Sequence, residues 1–127
     1  PFEVWGDGEQ IRNWTYVDDI VSGTIAAAEK IHDGTSINLG TEERIKVKEC
    51  AQQVIDTLNP GVAIKLSKDK PTGPLNRVAS NALAKELIGW TPQTNFADGL
   101  QKTIDWYVSS KTTEQANLDL TRKLVGR

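Results

Sequence analysis

Two arginines carry the most pointed chemistry in this sequence, each placed just after a backbone turn built from glycine or proline. In Gly6-Asp7-Gly8-Glu9-Gln10-Ile11-Arg12 a tight turn hands the chain to a strand that presents Arg12. A planar guanidinium matches phosphate oxygens, and neighbouring glycines let a ligand come close to the backbone. The spacing is not the dinucleotide fingerprint G-x-G-x-x-G, because Ile11 stands where the third glycine belongs. The second candidate is Asn76-Arg77, which follows the rigid run Pro71-Thr72-Gly73-Pro74 and precedes a helix expected to start at Ser80. A proline-held loop ahead of a helix N-terminus suits anion recognition. By spacing alone a solvated surface arginine is the commoner reading of each; together the two could clamp a diphosphate from both sides.

Other patterns have plainer explanations. Tyr107-Val108-Ser109-Ser110-Lys111 matches the Tyr-x-x-x-Lys spacing used for proton transfer, but it closes an amphipathic helix on whose packing face Tyr107 is expected to lie. Asp18-Asp19 reads as a helix cap rather than a carboxylate pair, since adjacent helical side chains diverge. Cys50 falls on an apolar helical stripe, His32 sits where a helix ends, and Lys65, Lys68 and Lys70 read as a solvated strand edge. Asn13-Trp14-Thr15 is formally a glycosylation sequon and means little without a secretory signal.

The elements that must position the arginines follow from periodicity. Pro1 to Trp5 reads as a strand, Trp14 to Val17 as β-leaning, and Ile20, Val21, Thr24, Ile25, Ala28 and Ile31 as a helix stopped by Gly34. Ser36-Ile37-Asn38-Leu39-Gly40 reads as a strand. Val47, Cys50, Ala51, Val54, Ile55 and Leu58 mark the cleanest helix, closed by Asn59-Pro60-Gly61. Val62 to Leu66 alternates like a strand. A short helix from Ser80, with Leu83, Leu87 and Ile88 inward, should end at Gly89. A last helix should start near Asn95 and bury Phe96, Leu100, Ile104 and Tyr107 or Val108. Leu118, Leu120, Leu124 and Val125 could line a terminal helix or belong to a frayed tail. Short strands alternating with helices predict an α/β arrangement.

Composition narrows the partners. The 127 residues hold 15 Lys+Arg against 17 Asp+Glu, a net charge of −2 that offers no field for nucleic acid or an anionic membrane. The apolar runs are far shorter than the roughly 20 residues of a membrane helix, and no signal peptide is visible, so a cytoplasmic location is expected. One cysteine and one histidine exclude an internal disulfide and a Cys/His zinc cluster. There is no methionine, and the sequence opens at Pro1 inside what reads as a strand, so either an initiator Met was removed or this is a piece of a longer protein.

Taken in order, Phe2 through Asp19, Ile37-Asn38-Leu39-Gly40, Arg77 with Ala84 through Pro92, and Gly99-Leu100 to Trp106-Tyr107 resemble the C-terminal half of the extended short-chain dehydrogenases/reductases. These are the NAD-dependent nucleotide-sugar epimerases and dehydratases. The resemblance implies that Arg12 grips the substrate diphosphate, that Arg77 does so from the other side, that Trp14 lies near the nucleotide and that Asn38 borders the substrate. It departs at Ser80, where many members carry an acidic residue. The family's glycine-rich NAD-binding half and its mid-chain Tyr-x-x-x-Lys have no counterpart, and Tyr107 and Lys111 come too late to supply it.

The expectation is therefore a small mixed α/β substrate-binding portion of a Rossmann-type enzyme over residues 1–111, followed by a tail or terminal helix over 112–127. It should bind a nucleotide-sugar through Arg12, Arg77, Trp14, Asn38 and Asn76. It should hold no cofactor alone, with NAD in the parent, and pack against the missing dinucleotide-binding half or self-associate as an oligomer. The alternative is a stand-alone non-catalytic binding or assembly module of the same descent.

Overall fold

The computed structural model describes residues 1–116. The elements run β1 (Phe2–Trp5), β2 (Ile11–Arg12), α1 (Val17–Lys30), β3 (Ile45–Lys46), α2 (Val47–Leu58), β4 (Ile64–Ser67), β5 (Asn76–Arg77), α3 (Ala82–Ile88) and α4 (Phe96–Ser110). The mixed α/β class expected from the sequence is what the chain adopts. Its contacts form two units, Pro1–Phe96 and the segment from Ala97 onward.

In the first unit β1 pairs in parallel with β4, Phe2 opposite Ile64 through Trp5 opposite Ser67. A second sheet has the order β3-β2-β5, β2 running antiparallel to β3 and parallel to β5. Its strands are only two residues long, so their register depends on the loops that deliver them. The core holds Ala84, Ile88 and Trp90, flanked by Ala26, Ala27, Ile31, Ile37 and Leu39. Helix α1 approaches it on its glycine face: a Cβ on Gly23 would lie 2.8 Å from Leu39 Cδ2 and 2.9 Å from Trp90 Cε2. Trp90 Nε1 donates to the Asp19 carbonyl and to Ser22 Oγ, both at 3.1 Å, so the largest core ring is also bonded to the helix it packs against.

Several elements differ from expectation. Tyr16, not Asp18 or Asp19, is the N-cap residue of α1; Asp19 is buried and its carboxylate accepts the Thr94 backbone N–H at 2.9 Å. Residues 14–16 form no strand. Nor do residues 36–40: the backbone of 36–39 makes no hydrogen bond among the described residues, so a strand-like sequence has no partner strand. Helix α3 begins at Ala82, with Ser80 Oγ accepting the Ala82 N–H, and it buries Ala84 and Ile88 while Leu83 and Leu87 stay exposed. Gly89 ends it in the left-handed region at φ 70°, with Trp90 N–H donating to the Ala84 carbonyl.

Helix α4 starts where the sequence indicates and buries Phe96 and Ile104, but Trp106, Tyr107 and Val108 are exposed. Tyr107 therefore lies off the packing face it was expected to share. A further helical turn at 113–116 is opened by Thr112 and Gln115, each side chain accepting the other's backbone N–H. The expected apolar positions Leu118, Leu120, Leu124 and Val125 lie outside the described residues.

Candidate functional site

The turn between β1 and β2 is held from several directions. Gly6 and Gly8 adopt φ of 81° and 73°, which glycine alone takes without strain. Asp7 Oδ1 accepts the Glu9 N–H, Gly6 N–H donates to Ser67, and Lys48 N–H donates to Gly8. A Cβ on Gly8 would stand 2.7 Å from Lys48 Cβ, so glycine is what lets the α2 N-terminus seat there. Gln10 is 2% exposed and its Nε2 donates to the Trp5 carbonyl at 3.2 Å.

Glu9 meets Lys46 at 2.8 Å and also Lys48. The Lys46 hydrogen bond first, and then that from Lys48, hold its carboxyl down at about 2. Glu49 Oε2 reaches back to the Lys46 N–H at 3.0 Å, which starts α2. The result is a rigid delivery of Ile11 and Arg12 to the centre of the three-stranded sheet.

On that sheet Arg12 is the register partner of Arg77, and Ile11 of Asn76. Directly opposed residues on parallel neighbours are about 4.8 Å apart and share a face of the pleat. Arg12 Nη1 donates to the carbonyls of Ile11 at 2.7 Å and Pro74 at 2.8 Å, and Nη2 to that of Thr72 at 3.5 Å. The Arg77 side chain is exposed and makes no hydrogen bond or ion pair among the described residues. Among the described residues no carboxylate pairs with either guanidinium; Glu9 gives its ion pairs to Lys46 and Lys48. Beside the loop that Arg12 holds lies a hollow of about 280 Å³ lined by Gly6, Asp7, Lys68, Thr72 and Leu75.

The structure brings Arg12 and Arg77 together on one face of the sheet and puts Asn76 beside Ile11 on the other. Trp14 is exposed just beyond β2, and Asn38 is exposed between the half-buried Ile37 and Leu39. Stitches that sequence reading missed tie their segments to the same region. A Cβ on Gly40 would press on the Asn13 side chain and lie 3.5 Å from Ala79 Cβ, while Asn81 Nδ2 donates to the Gly40 carbonyl and Thr41 N–H to Thr15 Oγ1. The segments around residues 13–15, 38–41 and 79–81 thus converge on Gly40. The glycine ending the Asn-x-Gly run was the one signal for this; Thr72 and Pro74 carried none, because their carbonyls act through the backbone.

Among the described residues no group of three His, Cys, Asp or Glu side chains could hold a metal ion. Burial pushes the Cys50 thiol up, away from the reactive thiolate. Among them, too, no helix is long and apolar enough to cross a membrane.

A family model described as GDP-mannose 4,6 dehydratase matches residues 2–103. The chain is 32% identical over 104 residues to UDP-glucuronic acid decarboxylase 1 of Arabidopsis thaliana, covering 82% of this chain and 24% of that protein. It is 31% identical over 115 residues to GDP-mannose 3,5-epimerase of the same plant, covering 91% and 30%. Among solved structures it resembles the Bacillus cereus UDP-glucuronic acid 4-epimerase in complex with UDP-glucuronic acid and NAD, with a TM-score of 0.74 at 29% identity, covering 84% of this chain and 34% of that one. The chain spans about a quarter to a third of the length of these relatives. With the match running from the β1 strand into α4, the chain belongs to the GDP-mannose 4,6 dehydratase family, within the extended short-chain dehydrogenases/reductases that comprise NAD-dependent nucleotide-sugar epimerases and dehydratases.

Proposed function

We propose that this chain is the nucleotide-diphosphate-sugar-binding part of an NAD-dependent sugar epimerase or dehydratase, with Arg12 and Arg77 meeting the diphosphate. The observation that carries this reading is the pair of arginines in direct register, with no carboxylate among the described residues to balance them. Like charges opposed across neighbouring strands are destabilising, and an anion between them turns repulsion into attraction. Trp14 and Asn38 flank the pair on segments stitched to it through Gly40, and Asn76, on the other face of β5, helps set where Arg77 stands through its register with Ile11. Anchoring the diphosphate supplies remote binding energy that holds the sugar in place for reaction.

The described residues do not fit NAD. The Gly6–Gly8 turn leads into strand β2 rather than a helix N-terminus, and no other described strand passes through a glycine turn into a helix. No redox or proton-transfer step is assigned to this chain. We place that chemistry in polypeptide beyond it, in keeping with the length of the relatives. Two surfaces support such a partner: the unpaired backbone at 36–39, and the exposed stripe Val17, Val21 and Ile25 on α1, opposite the face packed on Trp90.

Calorimetric titration of the chain with UDP-, dTDP- and GDP-sugars and with NAD tests the proposal. Binding of a nucleotide-sugar that weakens in Arg12→Ala and Arg77→Ala is expected. Tight NAD binding without nucleotide-sugar binding would overturn it.

A further inference from the structure

We infer that Arg12 uses the two edges of its guanidinium for separate tasks at once: one edge locks the 72–74 loop and so positions Arg77, and the other stays open for phosphate oxygens. This rests on the diphosphate reading above and goes beyond it by requiring that the ligand binds without unlocking the loop. Both hydrogens of Nη1 are spent on the Ile11 and Pro74 carbonyls, and one hydrogen of Nη2 points to Thr72. The Nε hydrogen and the second Nη2 hydrogen have no acceptor among the described residues. With the Thr72 carbonyl beside that of Pro74, on the Nη1 side, the remaining Nη2 hydrogen is the one that shares an edge with Nε–H, at the spacing of two oxygens of a phosphate.

The locked loop needs such a brace. Pro71 and Pro74 lack N–H groups, and Gly73 is in the left-handed region at φ 69°. Between Pro71 and β5 the other backbone tie is the Ile11 N–H to the Leu75 carbonyl at 2.7 Å. Arg77 begins two residues after Leu75, so whatever fixes residues 72–75 fixes where Arg77 starts. Lysine cannot replace Arg12, because one ammonium nitrogen has no second edge.

The test is a titration of the nitrogen-15-labelled full chain with inorganic pyrophosphate, with loop motion read from the heteronuclear NOE of the Thr72, Gly73 and Leu75 amides. Pyrophosphate is expected to shift the Arg12 Nε–H resonance while the NOE at those amides does not fall. Arg12→Lys is expected to lower the loop NOE and to weaken pyrophosphate binding by about tenfold, whereas Arg77→Lys weakens binding and leaves the loop NOE alone. A fall in the loop NOE on pyrophosphate binding, or an Arg12→Lys chain with an unchanged loop NOE, overturns the two-edge assignment while the diphosphate reading stands. No response of either arginine to pyrophosphate overturns both.

Discussion

Arg12 and Arg77 face each other in register on parallel strands β2 and β5, although the whole of α1, α2 and β4 separates them along the chain. Among the described residues neither is neutralised by a carboxylate, and their side chains differ: that of Arg12 is braced by three carbonyls and that of Arg77 is exposed and unbonded.

Each arginine should therefore contribute measurably to nucleotide-sugar affinity. Arg12→Ala or Arg77→Ala is expected to weaken binding by about 1.5–3 kcal/mol, the range for hydrogen bonds to a charged group. With both on one diphosphate, as proposed, the double variant should lose less than the sum of the two single losses. Calorimetry on the four proteins measures this, and unchanged affinity in both single variants removes the clamp.

The Gly23 contact should be intolerant of one methyl group. Helix propensity alone favours Gly23→Ala by up to about 1 kcal/mol. The added Cβ, however, would press on Leu39 and on a Trp90 ring held by two hydrogen bonds. Overpacking costs about 1–3 kcal/mol, so a net loss of stability is expected by denaturant titration. A stabilised Gly23→Ala protein would show that the ring can yield.

Acid should loosen the turn that delivers Arg12. Lys46 and Lys48 hold the Glu9 carboxyl at about 2 in the folded chain, against an ordinary value of 4.5. As pH falls the unfolded chain binds this proton first, so the stabilisation is complete above about 4.5 and disappears on the way down to about 2. The group is solvent-exposed, so high salt should weaken the effect. A Glu9→Gln chain should lose less thermal stability across that window. A Glu9 carboxyl that titrates at its ordinary value by NMR would refute the pairing.

The apolar stripe on α1 should be adhesive when the chain is alone. Sedimentation of the isolated chain is expected to show concentration-dependent association, and Val21→Lys or Ile25→Lys should shift it toward monomer. A chain that remains monomeric at every concentration would argue that these side chains need no cover.

Much of this protein follows from local sequence. The glycine turn before Arg12, the stripe of α2, the Gly89 stop and the start of α4 are legible because each depends on residues a few positions apart, through φ preference or helical period. So is the family resemblance that singles out Arg12 and Arg77. Other features need partners distant in sequence. Asp19 is a cap by pattern, but it is drawn inward to the Thr94 amide and Trp90 is bonded to its carbonyl. Residues 36–40 are strand-like by pattern, but a strand exists only when another strand answers its hydrogen bonds. The side-by-side placement of Arg12 and Arg77, and the locking of one of them onto carbonyls of the loop leading to the other, belong to tertiary structure alone. Register between distant strands and bonds to backbone oxygens leave no mark on residue type.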